Sequence, residues 1–199
     1  MFFVTGTDTD VGKTVAAAWL MLHTDAAYWK PVQSGLDEPD IRAVQSLTGL
    51  DSSFFFPSLY ELTQPLSPHE AARRDNVRID LNRFTLPKTD RPLVVEGAGG
   101  LLVPLNEKDL VIDLIARLAL PVILVCRSGL GTINHTLLSL EAMKARDLPV
   151  TGLIINGPRT PHNRQALEDY GRVPILAEID RLDPLNKEAL LAIKPEITF

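Results

Sequence analysis

A short apolar run, Phe2-Phe3-Val4, leads straight into Thr5-Gly6-Thr7-Asp8-Thr9-Asp10-Val11-Gly12-Lys13-Thr14, and this junction restricts the fold more than any other stretch of the chain. It reads as a strand, a glycine-containing loop ending in Gly-Lys-Thr, and a helix over Val15–His23. Such an arrangement holds a nucleotide triphosphate. Backbone N–H groups of the loop and of the helix N-terminus point at the phosphates, where the helix dipole also favours negative charge. Asp10, Val11, Gly12 and Val15 belong to this cradle; Lys13 reaches the β- and γ-phosphates, and the Thr14 hydroxyl ligates Mg²⁺. Five residues, not four, separate Gly6 from Gly12, so Thr7 occupies the usual first-glycine place. Gly-Lys-Thr also arises by chance in loops, but the flanking strand and helix supply the context the motif requires.

Further apolar runs recur at Ala27–Trp29, Leu93–Val95, Val122–Cys126, Leu153–Ile155 and, less cleanly, Val173–Ile179. Mostly free of polar alternation, they mark strands buried on both faces, as in parallel sheets. Helix-like segments lie between them, at Ile41–Leu47, Leu110–Leu118, Thr132–Arg146 and Gln165–Tyr170. In Thr132–Arg146 the residues Ile133, Leu137, Leu140 and the stem of Lys144 share one face. The alternation predicts an α/β fold: one nucleotide-binding domain over 1–199, with a doubly wound, mostly parallel sheet and helices on both faces. Ligands in such folds sit at the carboxyl ends of strands. The segment Asp51–Pro92, rich in Phe and Pro, is the least regular.

Net charge is −5, so no general attraction to nucleic acid or anionic membrane is expected. No apolar run reaches the roughly 20 residues that span a bilayer. The N-terminus reads as strand and phosphate loop, leaving no room for a signal peptide. The single cysteine, Cys126, excludes an internal disulfide, fits a reducing cytoplasm and reads as a packed core thiol.

Polar residues at the strand ends are the candidates for chemistry. Glu96 closes Leu93-Val94-Val95 and precedes Gly97-Ala98-Gly99-Gly100. An acid there binds or orients Mg²⁺, and the glycines let backbone approach a phosphate; otherwise Glu96 is a surface residue before a flexible turn. Lys30, stiffened by Pro31, faces the crevice, where its ammonium can neutralise a γ-phosphate or a carbamate. Asp40 reads equally as an N-cap of the following helix and as a second carboxylate for Mg²⁺. Gly129-Leu130-Gly131-Thr132 opens a helix and suits a carboxylate, whereas His135 reads as a structural histidine with its ring satisfied. No His/Cys pair has zinc spacing and no Ser-His-Asp grouping is legible.

Six motifs appear together in order: Gly6–Thr14, Lys30-Pro31-Val32-Gln33-Ser34-Gly35, Ser67-Pro68-His69-Glu70-Ala71-Ala72, Glu96–Gly100, Gly131-Thr132-Ile133-Asn134-His135 and Gly152-Leu153-Ile154-Ile155-Asn156. Over nearly the whole chain this resembles the ATP-dependent dethiobiotin synthetases of biotin biosynthesis. The resemblance implies a cytoplasmic homodimer, a ligase that closes a cyclic urea on 7,8-diaminononanoate with CO₂ and MgATP. By position it implies that Lys13 holds phosphates, that Thr14, Asp40 and Glu96 bind Mg²⁺, and that Lys30 assists carbamate formation and phosphoryl transfer. Thr9 would line the substrate and phosphate region, with Gly97, Ala98 and Gly99 beside the nucleotide. Ser34 would contact the diamine; Asn156, Gly157, Asp180, Arg181 and Leu182 would recognise adenine. Gly131 and Asn134, within Gly129–Asn134 of the partner subunit, would hold the substrate carboxylate. The chain departs from the family's habit at Asp10, often Glu, at Asp180, commonly Pro, and in the short connection Leu36–Pro39.

A different class, the partner-regulated ATPase switch of the partitioning type, carries a lysine near the start of the loop. Thr7-Asp8-Thr9-Asp10 offers none.

Overall fold

A computed structural model describes residues 1–197, and all structural statements concern these. Its strands are β1 (Phe2–Gly6), β2 (Ala27–Trp29), β3 (Val32–Ser34), β4 (Phe55–Phe56), β5 (Tyr60–Leu62), β6 (Leu93–Gly100), β7 (Val122–Arg127), β8 (Val150–Asn156) and β9 (Ile175–Ile179). Seven of them form one parallel sheet in the order β4-β2-β6-β1-β7-β8-β9, while β3 and β5 make a small parallel pair. The helices are α1 (Lys13–Thr24), α2 (Asp40–Thr48), α3 (Pro68–Arg74), α4 (Val111–Leu118), α5 (Thr132–Lys144), α6 (Pro161–Gly171) and α7 (Lys187–Ala192).

Strand side chains alternate between faces with period two, and both faces are covered. Phe3, Val95, Leu124 and Leu153 pack with Ile112 and Ile115 of α4, Met143 of α5 and Leu167 of α6. Val4, Val94, Ile123 and Ile154 pack on the other side with Ala16–Met21 of α1, Val44 of α2 and Leu190 of α7. Burial on both faces explains why these strands read as unbroken apolar runs. Three successive alanines, Ala16–Ala18, are fully buried and let α1 lie close to the sheet. β1 sits centrally: β6, β2 and β4 lie on one side, β7, β8 and β9 on the other. Its carboxyl end is therefore the point where the sheet's order diverges, which is where ligands gather in such folds.

Several expected boundaries shift. β6 runs past Val95 through Glu96 to Gly100 because its backbone stays paired with β1, Val4 opposite Glu96 and Gly6 opposite Gly100. β9 starts at Ile175, after Pro174, and α6 starts at Pro161, a residue suited to a first helical turn. The irregular segment 51–92 supplies the edge strand β4, the small-sheet strand β5 and α3.

The shared face of α5 is only partly the core face, with Leu140 packed against the core. Thr132, Thr136 and Met143 are the buried positions, Ile133, Leu137 and Leu140 are half-buried, and Lys144 is exposed. His135 is also exposed, so the reading of it as a satisfied structural histidine is corrected. Cys126 is buried as expected, and burial pushes its thiol pKa up. Among the described residues no helix is long and apolar enough to cross a membrane.

Candidate active site

Four elements deliver one polar cluster above the carboxyl end of β1. Thr14 lies in the first turn of α1, Lys30 directly follows β2, Asp40 opens α2, and Glu96 lies within β6. The Thr14 hydroxyl is 2.7 Å from Asp40 Oδ1 and 3.2 Å from Glu96 Oε1. The Lys30 ammonium bridges the two acids, at 2.8 Å from Asp40 Oδ2 and 3.0 Å from Glu96 Oε1. Lys30 is 6% exposed and Glu96 only 1%, so the surface reading of Glu96 falls away. Buried charges persist only when paired and hydrogen-bonded, and here each has its counterpart.

The electrostatics follow from that pairing. Burial alone would depress the Lys30 pKa, but Glu96 and Asp40 hold it above the ordinary lysine value. Burial likewise works to raise the Asp40 carboxyl; Lys30, with hydrogen bonds from Lys30, Thr14 and Gln33, overrides it and leaves the pKa lowered. Lys13 goes the other way, lowered chiefly by burial.

Asp40 is the first residue of α2, and its N-cap is Pro39, so the capping reading gives way. Its position is instead fixed by Gln33. The Gln33 amide donates to the carbonyls of Ser34 and Gly35 at 3.2 and 3.1 Å, while its oxygen accepts from the Asp40 backbone at 3.2 Å. That brace is how the short connection Leu36–Pro39 still delivers Asp40 to the cluster.

The loop is tight. Gly6 has no room for a side chain: a Cβ there would lie 2.8 Å from the Asp8 carbonyl and 2.6 Å from Val11 Cγ2. Gly12, with φ of 92°, is the N-cap of α1. The Lys13 ammonium folds over the loop and donates to the Asp8 carbonyl at 2.9 Å. Asp10 adopts φ of 57° and, like Thr9, is exposed. Gly99, φ 65°, brings the β6 end against Thr9, whose hydroxyl would lie 3.6 Å from a Cβ there. Gly97 and Ala98 lie on the same strand.

The remaining expected residues are distributed as follows. The Ser34 hydroxyl is shielded from solvent and meets no hydrogen-bond partner among the described residues. Asn156 ends β8 and donates to the Val11 carbonyl at 3.1 Å, so its side chain braces the phosphate loop. Gly157 is bonded to Ile179 at the end of β9, and Asp180, Arg181 and Leu182 follow directly. Gly131 is the N-cap of α5 and Asn134 lies in its first turn; both are exposed.

Sequence reasoning passed over Tyr28 and gave Arg127 no role beyond lying at a polar strand end. The Tyr28 hydroxyl donates to Glu96 Oε2 at 2.9 Å, and burial together with Glu96 raises its pKa well above the usual phenol value. A phenol two residues before Lys30, in an otherwise apolar strand, was the available signal. Arg127, at the end of β7, donates to the Thr9 carbonyl at 3.0 Å, a contact that depends on strand order.

The donor set is hard: two carboxylates and one hydroxyl beside the glycine loop. That fits Mg²⁺, which takes one or two carboxylates and completes its shell with phosphate oxygens and water. The glycine loop and helix N-terminus fit the phosphates themselves.

A family model described as an AAA domain matches residues 1–189. Over 198 residues, 99% of its length, the chain is 54% identical to the ATP-dependent dethiobiotin synthetase of Paramagnetospirillum magneticum, of which it covers 95%. Identity to the ATP-dependent dethiobiotin synthetase of Rhodopseudomonas palustris strain TIE-1 is 51% over 190 residues, 95% of this chain and 90% of that one. The cell division ATPase MinD of Pyrococcus furiosus superposes with a TM-score of 0.58 at 16% identity, over 96% of this chain and 87% of its own. At that identity the likeness concerns the fold alone.

Proposed function

The chain belongs to the family of ATP-dependent dethiobiotin synthetases, and on that premise we propose how its residues carry out the ring closure. It is a ligase that forms C–N bonds, converting 7,8-diaminononanoate, CO₂ and ATP into dethiobiotin, ADP and phosphate. One amine of the diamine attacks CO₂ and loses a proton, giving a carbamate. A carbamate is a weak electrophile because its oxygen is a poor leaving group. Its oxygen therefore takes the γ-phosphoryl group from ATP, and the second amine displaces phosphate from the resulting carbamic–phosphoric anhydride.

Such chemistry asks the protein mainly for alignment and charge neutralisation. The observation that carries the assignment is the Lys30 ammonium, held by both Asp40 and Glu96 beside Thr14. From there it neutralises charge on the carbamate and on the transferring phosphoryl group. Lys13 holds phosphate oxygens, with Thr9 to Val15 forming the cradle and Gly97–Gly99 its opposite wall. Thr14, Asp40 and Glu96 would hold Mg²⁺, which would supply further neutralisation of phosphate charge. Ser34, whose shielded hydroxyl has no partner among the described residues, offers a hydrogen bond to the diamine. Asn156, Gly157 and the turn Asp180–Leu182 border the adenine.

We place the substrate site at the interface of a cytoplasmic homodimer. Leu102 and Leu138 are 57% and 56% exposed, and both line one groove of about 420 Å³ that also holds Thr7 and Asp8 of the loop. A face this apolar beside the catalytic loop suits a second copy of the chain. Gly131 and Asn134 of the second copy would then meet the carboxylate end of the diamine.

The test is product formation with ¹³C-bicarbonate. Dethiobiotin one mass unit heavier, requiring both ATP and the diamine, is the expected product; its absence overturns the assignment.

A further inference from the structure

Glu96 does not present its two carboxylate oxygens equivalently. Oε1 accepts from Lys30 and lies 3.2 Å from the Thr14 hydroxyl, on the side of the phosphate loop. Oε2 accepts from the Tyr28 hydroxyl on the buried side, at 2.9 Å. The terminal torsion of a glutamate is soft and roughly two-fold, so packing of the methylenes alone does not decide which oxygen faces the site. A phenol donating to a carboxylate makes a charge-assisted bond that does decide it.

Tyr28 is built to hold that bond. It is fully buried, its ring lies tilted against Phe55 with centroids 6.0 Å apart, and its strand β2 pairs directly with β6. Tyr28 and Lys30 sit two residues apart on one strand line, so the same backbone aims a donor at each oxygen of Glu96. Core packing alone would be served by phenylalanine. The hydroxyl's hydrogen-bond partner is Glu96, and a buried hydroxyl would be a liability without one.

We infer that Tyr28 is a positioning residue for the metal site: its hydroxyl locks Glu96 so that Oε1 faces Thr14 and the phosphates in the orientation a magnesium ion needs. This rests on the reading of Glu96 as a Mg²⁺ ligand. Partners that orient a ligating carboxylate typically matter by 10- to 100-fold in metal affinity or activity. Lys30 and Thr14 do not substitute for Tyr28, because both lie at Oε1.

The experiment is calorimetric titration of ADP in excess Mg²⁺ and in EDTA. The quantity read is the gain in ADP affinity that Mg²⁺ brings. Tyr28→Phe should lower that gain about tenfold or more while ADP affinity in EDTA stays at the wild-type value. An unchanged gain overturns the proposal, as does an equal loss in Mg²⁺ and in EDTA, which would mark a merely structural role. Phe55→Leu provides an independent arm, since it loosens the ring's packing and keeps the hydroxyl. It should lower the melting temperature and retain the magnesium gain; loss of the gain in step with stability would overturn the proposal even if Tyr28→Phe does not fold. A wild-type protein with no magnesium gain would instead remove the metal reading of Glu96 itself, so the two failures are distinguishable.

Discussion

Lys30 and Asp40 meet at 2.8 Å, although one follows a strand and the other opens a helix ten residues later. Between them the chain turns through β3 and the Gln33 brace. The outcome is a cation and two acids, Asp40 and Glu96, gathered beside the hydroxyl that follows the loop lysine. Most of what the protein is expected to do depends on that grouping.

Removing either lysine should remove turnover without abolishing every form of binding. Lys13→Ala and Lys30→Ala are each expected to lower steady-state phosphate release by about two orders of magnitude or more, the scale of losing an electrostatic stabiliser. Lys30→Ala also leaves Glu96 buried and uncompensated, which should cost about 3 kcal/mol of stability. The pair Lys30→Ala/Glu96→Gln is expected to regain stability in denaturant unfolding and not turnover. Recovery of turnover in that pair would take Lys30 out of the reaction.

Gly12 has no tolerated replacement. Its φ of 92° lies where L side chains rarely go, and a Cβ would collide with the Asn156 amide that braces Val11. Gly12→Ala should lower stability by about 2 kcal/mol, or roughly 4–8 °C in melting temperature for a chain of this size. ADP affinity should fall at least about tenfold, because the α1 N-terminus that faces the phosphates moves with the loop. Unchanged affinity by calorimetry would contradict the cradle geometry.

The exposed leucines offer a test of assembly. Leu138→Asp places a charge in the apolar groove and should shift sedimentation from dimer toward monomer. KM for the diamine should rise severalfold while ADP binding stays intact, since the nucleotide cradle lies within one chain. A dimer undisturbed by this change would move the interface elsewhere.

Acid should loosen the C-terminal latch. Arg164 holds Glu196 through two bonds, at 2.7 and 2.6 Å, and their hydrogen bonds keep the Glu196 carboxyl below the usual range. Because the folded pKa is depressed, the latch contributes above the unfolded carboxylate value and fades as pH falls through the lower folded one. The pair is partly exposed, so its contribution should stay below about 1 kcal/mol. Glu196→Gln is expected to melt about 2–4 °C or less below wild type at pH 7, with the gap closing as the pH falls below the ordinary carboxylate range.

Much of the fold was legible because five core strands are buried on both faces and so appear as short apolar runs between helices. The phosphate loop, Glu96 and Lys30 were legible because each sits at the carboxyl end of such a run. What escaped had its partners far away in sequence. β4 is two residues long and becomes a strand only by pairing with β2; β3 and β5 pair with each other across an irregular stretch. On α5 the deepest positions, two threonines and a methionine, form no apolar pattern, and Leu140 of the shared face packs on the core only in part. Asp40 was ambiguous because an acid near a helix start fits a cap, and only the fold shows that Pro39 takes the cap while Asp40 meets Lys30 and Thr14. Tyr28 was missed because a phenol in an apolar strand looks like packing until the register of β2 against β6 brings it to Glu96.

The most direct test of the whole account is phosphate release from ATP with and without the diamine and bicarbonate. Release should be slow with ATP and Mg²⁺ alone and rise many-fold when both are added, with one phosphate per dethiobiotin formed. Hydrolysis that ignores the diamine, or that responds instead to DNA, a membrane or a protein partner, would contradict the proposed shared site of Lys30, Lys13, Asp40 and Glu96.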